Sequence, residues 1–351
     1  MSLLARLGME TPIIQAPMAG VSTPAMAAAV SEAGGLGSLG LGATDAAGAE
    51  AMIRQVRDRT GRAFNVNLFV HATPVADVGI EADWLQALEP VFRSVDGAPP
   101  EKLRVIYDSF NDDEEMLRLL TDEAPPVVSF HFGLPDERRI RALKQAGCLL
   151  FATATSLEEA LRAQTAGMDA VIAQGYEAGG HRGVFDPQVE DARLGTLALT
   201  RLVVSRLEVP VIAAGGIMDG RGIRAALDLG AAAAQLGTAF IACDESAADP
   251  AYRAALMSDA AQQTVMTRAI SGRPARCLKN RFTDWGRTAT AQVPAYPIAY
   301  DAGKALNAAA KAVGESGYGA QWAGQGAPLA RAMSTSALMA VLKQELAAAV
   351  S

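Results

Sequence analysis

Short apolar runs rich in valine, isoleucine and leucine alternate along the chain with segments of helical periodicity. The predicted strands are Ile13–Ala16, Gly35–Leu39, Asn65–Phe69, Val127–Phe132, Leu149–Thr153, Ala170–Gln174, Pro210–Ala214 and Ala233–Gly237. The predicted helices between them are Pro24–Ala33, Ala46–Arg59, Glu137–Ala146, Leu157–Ala166, Leu197–Leu207 and Gly220–Leu229. Strands that alternate with helices of this length indicate a parallel sheet. Eight such strands favour a closed (β/α)₈ TIM barrel of the α/β class over an open sheet.

Two segments are longer than one strand–helix repeat. The third connection, residues 72–126, contains two further helical patterns, Asp83–Val95 and Asp113–Thr121. Residues 240–326 follow the eighth strand and mix proline, glycine and apolar positions, so we expect a smaller substrate or cap domain inserted over the barrel mouth. The final helical pattern, Pro328–Ala349, predicts the last barrel helix. The predicted domains are a barrel domain of residues 1–239 and 327–351 and a smaller domain of residues 240–326.

Composition and charge exclude several classes of function. The chain of 351 residues is 50% hydrophobic and 20% charged, which is ordinary for a globular protein, and its net charge is −7. It has no basic stripe of the kind that nucleic-acid binding requires, so nucleic acid is not expected as a partner. Arginine and lysine are densest from Arg268 to Arg287. We interpret that region as a solvated, partly salt-bridged face, with a phosphate or polyanion patch as the alternative.

Cysteine and histidine usage argues against disulfides and metals. The three cysteines, Cys148, Cys243 and Cys277, are far apart and odd in number, which fits a reducing compartment. With three widely separated histidines and no CxxC or HxH motif, a zinc site is not expected. The sequence shows no signal-peptide pattern and no apolar run of the roughly 18 residues that a membrane span needs. We therefore expect a cytoplasmic protein that does not bind membranes.

Polar and glycine residues recur where the predicted strands end. The motifs at those ends are Gln15-Ala-Pro-Met-Ala-Gly20, Asn65-Val-Asn-Leu-Phe69, Ser129-Phe-His-Phe-Gly-Leu-Pro135, Gln174-Gly-Tyr-Glu-Ala-Gly-Gly-His-Arg-Gly183, Ala213-Ala-Gly-Gly-Ile217 and Gln235-Leu-Gly-Thr238. A (β/α)₈ barrel builds its active site at this end of its strands, so we expect these residues to meet. The loop from Gln174 to Gly183 is the most informative, because it sets a histidine among several glycines. Its alternative interpretation is a surface turn with a solvated histidine.

The loops after strands seven and eight predict a phosphate site. Gly215 and Gly216 allow the backbone to approach a ligand, and the helix predicted from Gly220 offers its positive N-terminal end. Gly237 and Thr238 add backbone N–H groups and a hydroxyl. Tight turns that need glycine are the alternative. The amides of Gln15, Asn67 and Gln174 suit a heterocycle with N–H and C=O edges, such as flavin.

Two histidines are candidates for acid–base chemistry at this mouth, His181 and His131. For His131, a core role with its ring bonded to a backbone carbonyl and a substrate contact are equally supported. His71 is interpreted as structural. Glu177 is interpreted as a solvated side chain.

These motifs, together with Thr267-Arg-Ala-Ile-Ser-Gly-Arg-Pro-Ala-Arg276 and Trp322-Ala-Gly-Gln-Gly326, resemble those of class I nitronate monooxygenases, formerly called 2-nitropropane dioxygenases. The resemblance covers nearly the whole chain, and no motif departs from the family pattern. It implies FMN as the cofactor. The FMN-binding positions that it implies are Ala16, Pro17, Met18, Asn67, Gln174, Gly179, Gly180, Gly215, Gly216, Gln235, Leu236, Gly237, Thr238, Trp322 and Gln325.

The activity implied by the resemblance is the oxidation of alkyl nitronates, and in some members nitroalkanes, by O₂ to carbonyl compounds and nitrite. Propionate 3-nitronate is the typical substrate of the family, and detoxification is the implied role. A nitronate is an electron-rich anion and needs no base, whereas a neutral nitroalkane must first lose its α-proton. His181 is the candidate for that step and for orienting the nitro group, with His131 as a further substrate contact. A homodimer is left open.

Other functions fit the same sequence features. An FMN-dependent NAD(P)H:quinone or enoyl-acyl-carrier-protein reductase would keep the fold and the flavin, but it needs a nicotinamide site. The complete loop motif ending in His181-Arg-Gly183 argues against these reductases by resemblance alone. A flavin-free barrel acting on a phosphorylated metabolite and a non-catalytic flavin-binding protein are the remaining alternatives. Reduction by NADH, the colour of the protein and substrate-dependent oxygen uptake distinguish them.

Overall fold

The computed structural model describes residues 1–349. Its strands are β1 (Ile13–Gln15), β2 (Gly37–Gly40), β3 (Phe64–Phe69), β4 (Val127–His131), β5 (Leu149–Ala154), β6 (Ala170–Gln174), β7 (Gly180–His181), β8 (Val211–Ala214), β9 (Ala233–Leu236), β10 (Thr264–Thr267) and β11 (Ala275–Leu278). Its α-helices are α1 (Leu3–Leu7), α2 (Pro24–Glu32), α3 (Ala46–Arg57), α4 (Val78–Arg93), α5 (Glu114–Glu123), α6 (Glu137–Gln145), α7 (Leu157–Thr165), α8 (Thr196–Val204), α9 (Gly220–Asp228), α10 (Thr238–Ile241), α11 (Pro250–Leu256), α12 (Arg281–Thr288), α13 (Ile298–Ala312) and α14 (Thr335–Ala348).

Eight parallel strands form the barrel that the sequence predicts. They lie in the order β1-β9-β8-β6-β5-β4-β3-β2. The ring closes between β1 and the start of β2, where Gln15 donates its backbone N–H to the carbonyl of Leu36 at 3.0 Å and Ile14 forms a parallel bridge with Leu36. The predicted TIM-barrel fold is therefore confirmed.

The barrel interior is filled by apolar side chains from alternating strand positions. Ile14, Phe151 and Ile172 belong to one buried cluster, which also takes in Leu3 and Leu7 of α1. The short helix α1 therefore closes one end of the barrel. Ile13, next in the chain to Ile14, packs instead with residues of α2 and α14, as the two-residue period of a strand requires.

Several helix boundaries differ from the sequence prediction, and capping side chains set two of the helix starts. Asp77 accepts hydrogen bonds from the backbone of Gly79 and Ile80, so α4 begins at Val78 rather than at Asp83. Ser334 caps α14, which begins at Thr335, and the residues before it form only a short 3₁₀ turn. The helix α5 extends to Glu123, two residues past its predicted end.

Residues 240–326 do not pack alone. Their helix α13 shares a buried cluster with α4 of the 72–126 connection, in which Trp84, Leu88 and Phe92 meet Ile298 and Leu306. Their strands β10 and β11 form an antiparallel pair, and β11 also pairs with β7 from the loop after β6. The region over the barrel mouth is thus built from three parts of the chain. The predicted division into two domains stays a prediction.

Candidate active site

A cavity of about 420 Å³ opens at the carboxyl ends of the barrel strands. The predicted site residues that line it are Ala16, Pro17, Met18, Asn67, His131, Gln174, Gly179, Gly180, His181, Gly215, Gly216, Gln235, Gly237, Thr238 and Trp322. Two predicted positions do not line the cavity: Leu236 is buried at 1% exposure, and Gln325 is exposed elsewhere. The structure therefore brings together most of the residues that the sequence singled out, while their contacts with a cofactor stay predictions.

The turn after β8 has backbone angles that favour glycine. Gly215 and Gly216 have φ angles of 126° and 69°, which favour glycine. The N-terminus of α9, expected to help bind phosphate, is already capped: Asp219 accepts from the Gly222 N–H at 2.8 Å, and Glu345 accepts from the Gly220 N–H at 3.0 Å. Contrary to the sequence-based expectation, the end of that helix is not open to a phosphate.

Amide side chains divide their hydrogen bonds between the fold and the cavity. Gln15 is fully buried and is used by the fold, because it accepts from the Ser38 N–H at 2.8 Å and donates to the Ser22 hydroxyl at 2.8 Å. Asn67 donates to the Ser129 hydroxyl at 2.9 Å and keeps its Oδ1 as an acceptor at the cavity wall. Of the two, only Asn67 is placed to meet a ligand.

The backbone of His181 is fixed from three sides. The residue lies in β7, opposite Ala275 of β11. Its carbonyl accepts from Gln174 Nε2 at 3.0 Å and from His131 Nε2 at 3.1 Å. Gln174 also accepts from the Gly183 N–H at 2.8 Å, so its amide clamps the loop on both sides of His181. The imidazole is therefore presented from a rigid segment rather than from a mobile turn.

The imidazole of His181 is half-buried on the cavity wall and enclosed by aromatic rings. Its Nε2 lies 2.8 Å from the Ser271 hydroxyl. The rings of Trp322, Tyr296 and Phe132 lie 5.0, 5.4 and 5.5 Å from it, centroid to centroid. Burial is the main cause that lowers the pKa of His181 to about 3, and the nearby His131 and Arg273 contribute to the same shift. The ring is therefore neutral at physiological pH.

His131 takes the first of the two roles that the sequence left open. Its Nε2 donates to the His181 carbonyl, so its Nδ1 carries the lone pair and accepts from the Thr153 hydroxyl at 3.1 Å. It also lines the cavity. Burial is the main cause that lowers the pKa of His131 to about 4. Its structural role is thus observed, and its contact with substrate stays a prediction.

Two interpretations of charged residues hold only in part. Arg273 and Arg276 are each 3% exposed, so the arginine-rich segment is not simply a solvated face, although Arg281 at its far end pairs with Glu315 on the surface. Glu177 is not simply solvated, because its carboxylate accepts from the Thr196 N–H at 2.8 Å and the Thr196 hydroxyl at 2.9 Å, at the start of α8. A lone acidic residue such as Glu177 carries no sequence signal for its pairing with Thr196.

Several polar residues on the cavity wall were not predicted from the sequence. These are Tyr107, Thr153, Tyr252, Tyr296, Tyr300 and Lys304. They lie in the 72–126 connection, at the end of β5, and in residues 240–326, and most have no strand-end position to mark them. Tyr296 precedes α13, which begins at Ile298, so the spacing of Tyr296 and Tyr300 carries no helical signal either.

The buried histidines should make stability depend on pH in a defined window. Burial, then Arg273, lowers the pKa of His71 to about 4, whereas an unfolded histidine titrates near about 6.5. Because the folded pKa values are depressed, this contribution is complete above pH ~6.5 and is lost as pH falls toward ~4. Each such histidine contributes a slope of roughly 1 kcal/mol per pH unit near pH 5.5.

This slope can be measured by urea unfolding between pH 5 and 6.5 with FMN at constant excess. The variant His71→Phe keeps a ring against Tyr296 and Phe132 but removes one titrating group. We expect its free energy of unfolding to depend on pH less steeply than that of the wild type, by roughly 1 kcal/mol per pH unit. An unchanged slope would show that His71 takes up its proton in the folded state.

A family model described as "Nitronate monooxygenase" matches residues 2–345 of this chain. A nitronate monooxygenase of Paraburkholderia phytofirmans is 58% identical over 98% of this chain and 94% of its own length. A nitronate monooxygenase of Pseudomonas aeruginosa is 53% identical over 97% of each chain. The chain belongs to the nitronate monooxygenase family. The predicted family and its oxidoreductase class are confirmed.

Solved structures agree with this assignment. The nitroalkane oxidase of Streptomyces ansochromogenes is 44% identical to this nitronate monooxygenase family member, with a TM-score of 0.91 and 99% of each chain covered. FabK from Thermotoga maritima is 30% identical with a TM-score of 0.76, over 99% of this chain and 96% of its own. Among residues 1–349, no helix is both long and apolar enough to cross a membrane. In the same range, no group of three or more metal-ligating side chains is placed to hold a metal ion.

Proposed function

We propose that this chain is an FMN-dependent monooxygenase that oxidises alkyl nitronates with O₂, giving a carbonyl compound and nitrite. The observation that carries the proposal is the placement of a neutral, rigidly held His181 on the wall of the barrel-mouth cavity, opposite glycine turns and amide groups. The names of the relatives, nitronate monooxygenase and nitroalkane oxidase, support the same chemistry.

The residues of the cavity fit FMN. The volume of about 420 Å³ lies in the range of about 300–1,000 Å³ that cofactor sites occupy. Gly215 and Gly216 expose backbone through their positive φ angles, and Thr238 adds a hydroxyl that accepts from the Gly324 N–H at 3.0 Å. We assign the phosphate to these turns with Gly237, and the ring system to the side of Asn67. The backbone of Ala16–Met18, with Gln174, Gly179, Gly180, Gln235 and Trp322, completes the proposed set.

FMN, when bound, supplies the acceptor for the electrons of the nitronate and passes them to O₂. The protein's own task is to bind and orient an anion and to keep water from it. The aromatic rings of Trp322, Tyr296 and Phe132 around His181 exclude water from the reacting side.

For a neutral nitroalkane, we assign His181 Nδ1 as the acceptor of the α-proton. The Ser271 hydroxyl donates to the Arg273 carbonyl at 3.4 Å, so Ser271 Oγ accepts from His181 Nε2–H at 2.8 Å. In that arrangement, Nδ1 holds the lone pair of the neutral ring. A preformed nitronate bypasses this step and needs the ring only for orientation.

Oxygen uptake by the purified protein with propionate 3-nitronate tests the proposal, with NADH run in parallel. We expect a yellow protein, rapid oxygen uptake with nitrite release, and no bleaching of the flavin by NADH. Bleaching by NADH with no response to the nitronate would instead assign the chain to the reductases. A colourless protein that is silent with both substrates would remove the flavin from the proposal altogether.

A further inference from the structure

Arg273 is a buried cation without a carboxylate partner. Its side chain is 3% exposed, and its one hydrogen bond within residues 1–349 is donated to the carbonyl of Val184. No carboxylate in the described chain lies within 4.0 Å of it. The equally buried Arg139 and Arg182 are instead paired with carboxylates, Arg182 with Asp191 at 2.7 Å. An uncompensated buried charge is costly, so its retention calls for a compensating role.

The guanidinium of Arg273 lies beside Phe132, a buried ring that packs behind the two cavity histidines. It stacks 4.3 Å above the ring of Phe132. The same ring lies 4.5 Å from His131 and 5.5 Å from His181, so one aromatic layer separates the charge from both cavity histidines. Phe132 has a φ of 78°, a left-handed conformation that is rare for a bulky residue and marks functional sites.

Within residues 1–349 no carboxylate pairs directly with this cation, and Glu159 and Asp186 act on it only from beyond ion-pair distance. Both cavity histidines are neutral, and Arg273 is among the causes that lower their pKa values. Burial lowers the pKa of Arg273 itself to about 10, which leaves it charged at neutral pH. The charge of Arg273 therefore lies in a buried layer behind the cavity histidines, where water screens it poorly.

We propose that Arg273 is a fixed positive charge that gives the cavity its preference for anions, binding the nitronate over the neutral nitroalkane through the Phe132 layer without touching it. This inference rests on the proposed function, because it concerns how the same cavity receives its substrate. Arg273 is accordingly a specificity-determining and positioning residue rather than a catalytic one. The molecule that it favours is a small, delocalised monoanion, a class that includes nitronates and the product nitrite.

Nitrite binding to the FMN-loaded protein tests the proposal without turnover. Calorimetric titration is made on the wild type, Arg273→Gln and Arg273→Lys. Glutamine removes the charge and keeps a donor for Val184, whereas lysine keeps the charge. We expect Arg273→Gln to raise the Kd of nitrite about tenfold, as one unit charge at moderate dielectric would, and Arg273→Lys to stay within about threefold. The KM of the nitronate should rise with Arg273→Gln, while that of a neutral nitroalkane changes little.

Arg276→Gln is the matched control, because Arg276 is equally buried but donates to the Tyr176 carbonyl on the other side of the loop. Equal losses of nitrite affinity with Arg276→Gln and Arg273→Gln, or no loss with Arg273→Gln, would overturn the proposal.

If Arg273→Gln does not retain its cofactor, a variant of Lys304 provides a second test of the proposal. Lys304 is an exposed cation at the cavity edge, 4.8 Å from the Tyr107 ring. Retained nitrite affinity in Lys304→Met supports Arg273 as the source of the preference for anions. A loss of about tenfold would assign that preference to Lys304 and overturn the proposal. Failure of the proposed function is separate, since it would appear first as a wild-type protein that does not oxidise nitronates.

Discussion

Replacing His181 with asparagine is expected to lower kcat/KM for a neutral nitroalkane by about 10²–10⁴-fold, the usual value of general-base catalysis. The loss on the preformed nitronate should be far smaller, because that substrate has no α-proton to remove. Asparagine retains a polar group that can meet Ser271, which lies 2.8 Å from the native ring. Steady-state oxygen uptake with both forms of the same nitroalkane measures the difference directly.

The pH dependence of the wild type adds a second readout. A base acts in its unprotonated form, and the pKa of His181 near 3 in the free enzyme keeps it unprotonated throughout pH 5–8. We therefore expect kcat/KM for the nitroalkane to show no acidic limb from His181 in that range. A low pKa makes the ring a weak base, but the nitronate charge that develops beside it stabilises the protonated ring as the proton moves.

His71→Phe is the control for this experiment, since His71 is buried and is not part of the cavity wall. Any effect of that substitution should fall equally on both substrates. Equal losses on nitroalkane and nitronate in His181→Asn would rule out a purely basic role and leave His181 as a residue that orients the nitro group.

Gly179→Ala is expected to abolish activity on both substrates and to release the flavin. A Cβ at this position would lie 2.6 Å from the Ala323 carbonyl carbon and closer still to the backbone N of Gly324. Both obstacles are backbone atoms, so no rotamer change relieves the clash. The loop that carries His181 and the segment that carries Trp322 must then separate. We expect the purified variant to contain far less flavin than the wild type, because Gly179 and Trp322 both line the cavity proposed for the cofactor.

Gly61→Ala is the control, because Gly61 is exposed and a Cβ there meets no atom within 4 Å. Flavin content by absorbance and unfolding midpoints should match the wild type in Gly61→Ala. Wild-type flavin content in Gly179→Ala would show that the two segments can separate without disturbing the cofactor site.

The barrel could be predicted because its signals are local. Each strand is a short apolar run, and every predicted strand end lies within two residues of the observed one. The glycine turns and His181 were found for the same reason, since the fold fixes which end of a strand carries function.

The remaining features depend on contacts between distant parts of the chain. The pairing of His181 with Ala275 joins a loop to a strand that no local pattern relates to it. The blocked start of α9 depends on Glu345 at the other end of the sequence. Arg273 and Gln15 are charged and polar residues whose burial is set entirely by their neighbours. Periodicity carries no information about such placements.

The strand pairing of His181 also bears on how this protein is made. During synthesis from the N-terminus, β1 to β6 emerge long before β11 does. Until β11 has emerged, His181 lacks its backbone partner, and its ring lacks Ser271 and Trp322. A chain that ends before β11 should therefore lack an ordered His181, even if much of its barrel has formed. The acid–base group of the proposed reaction is thus assembled only after most of the chain has been made.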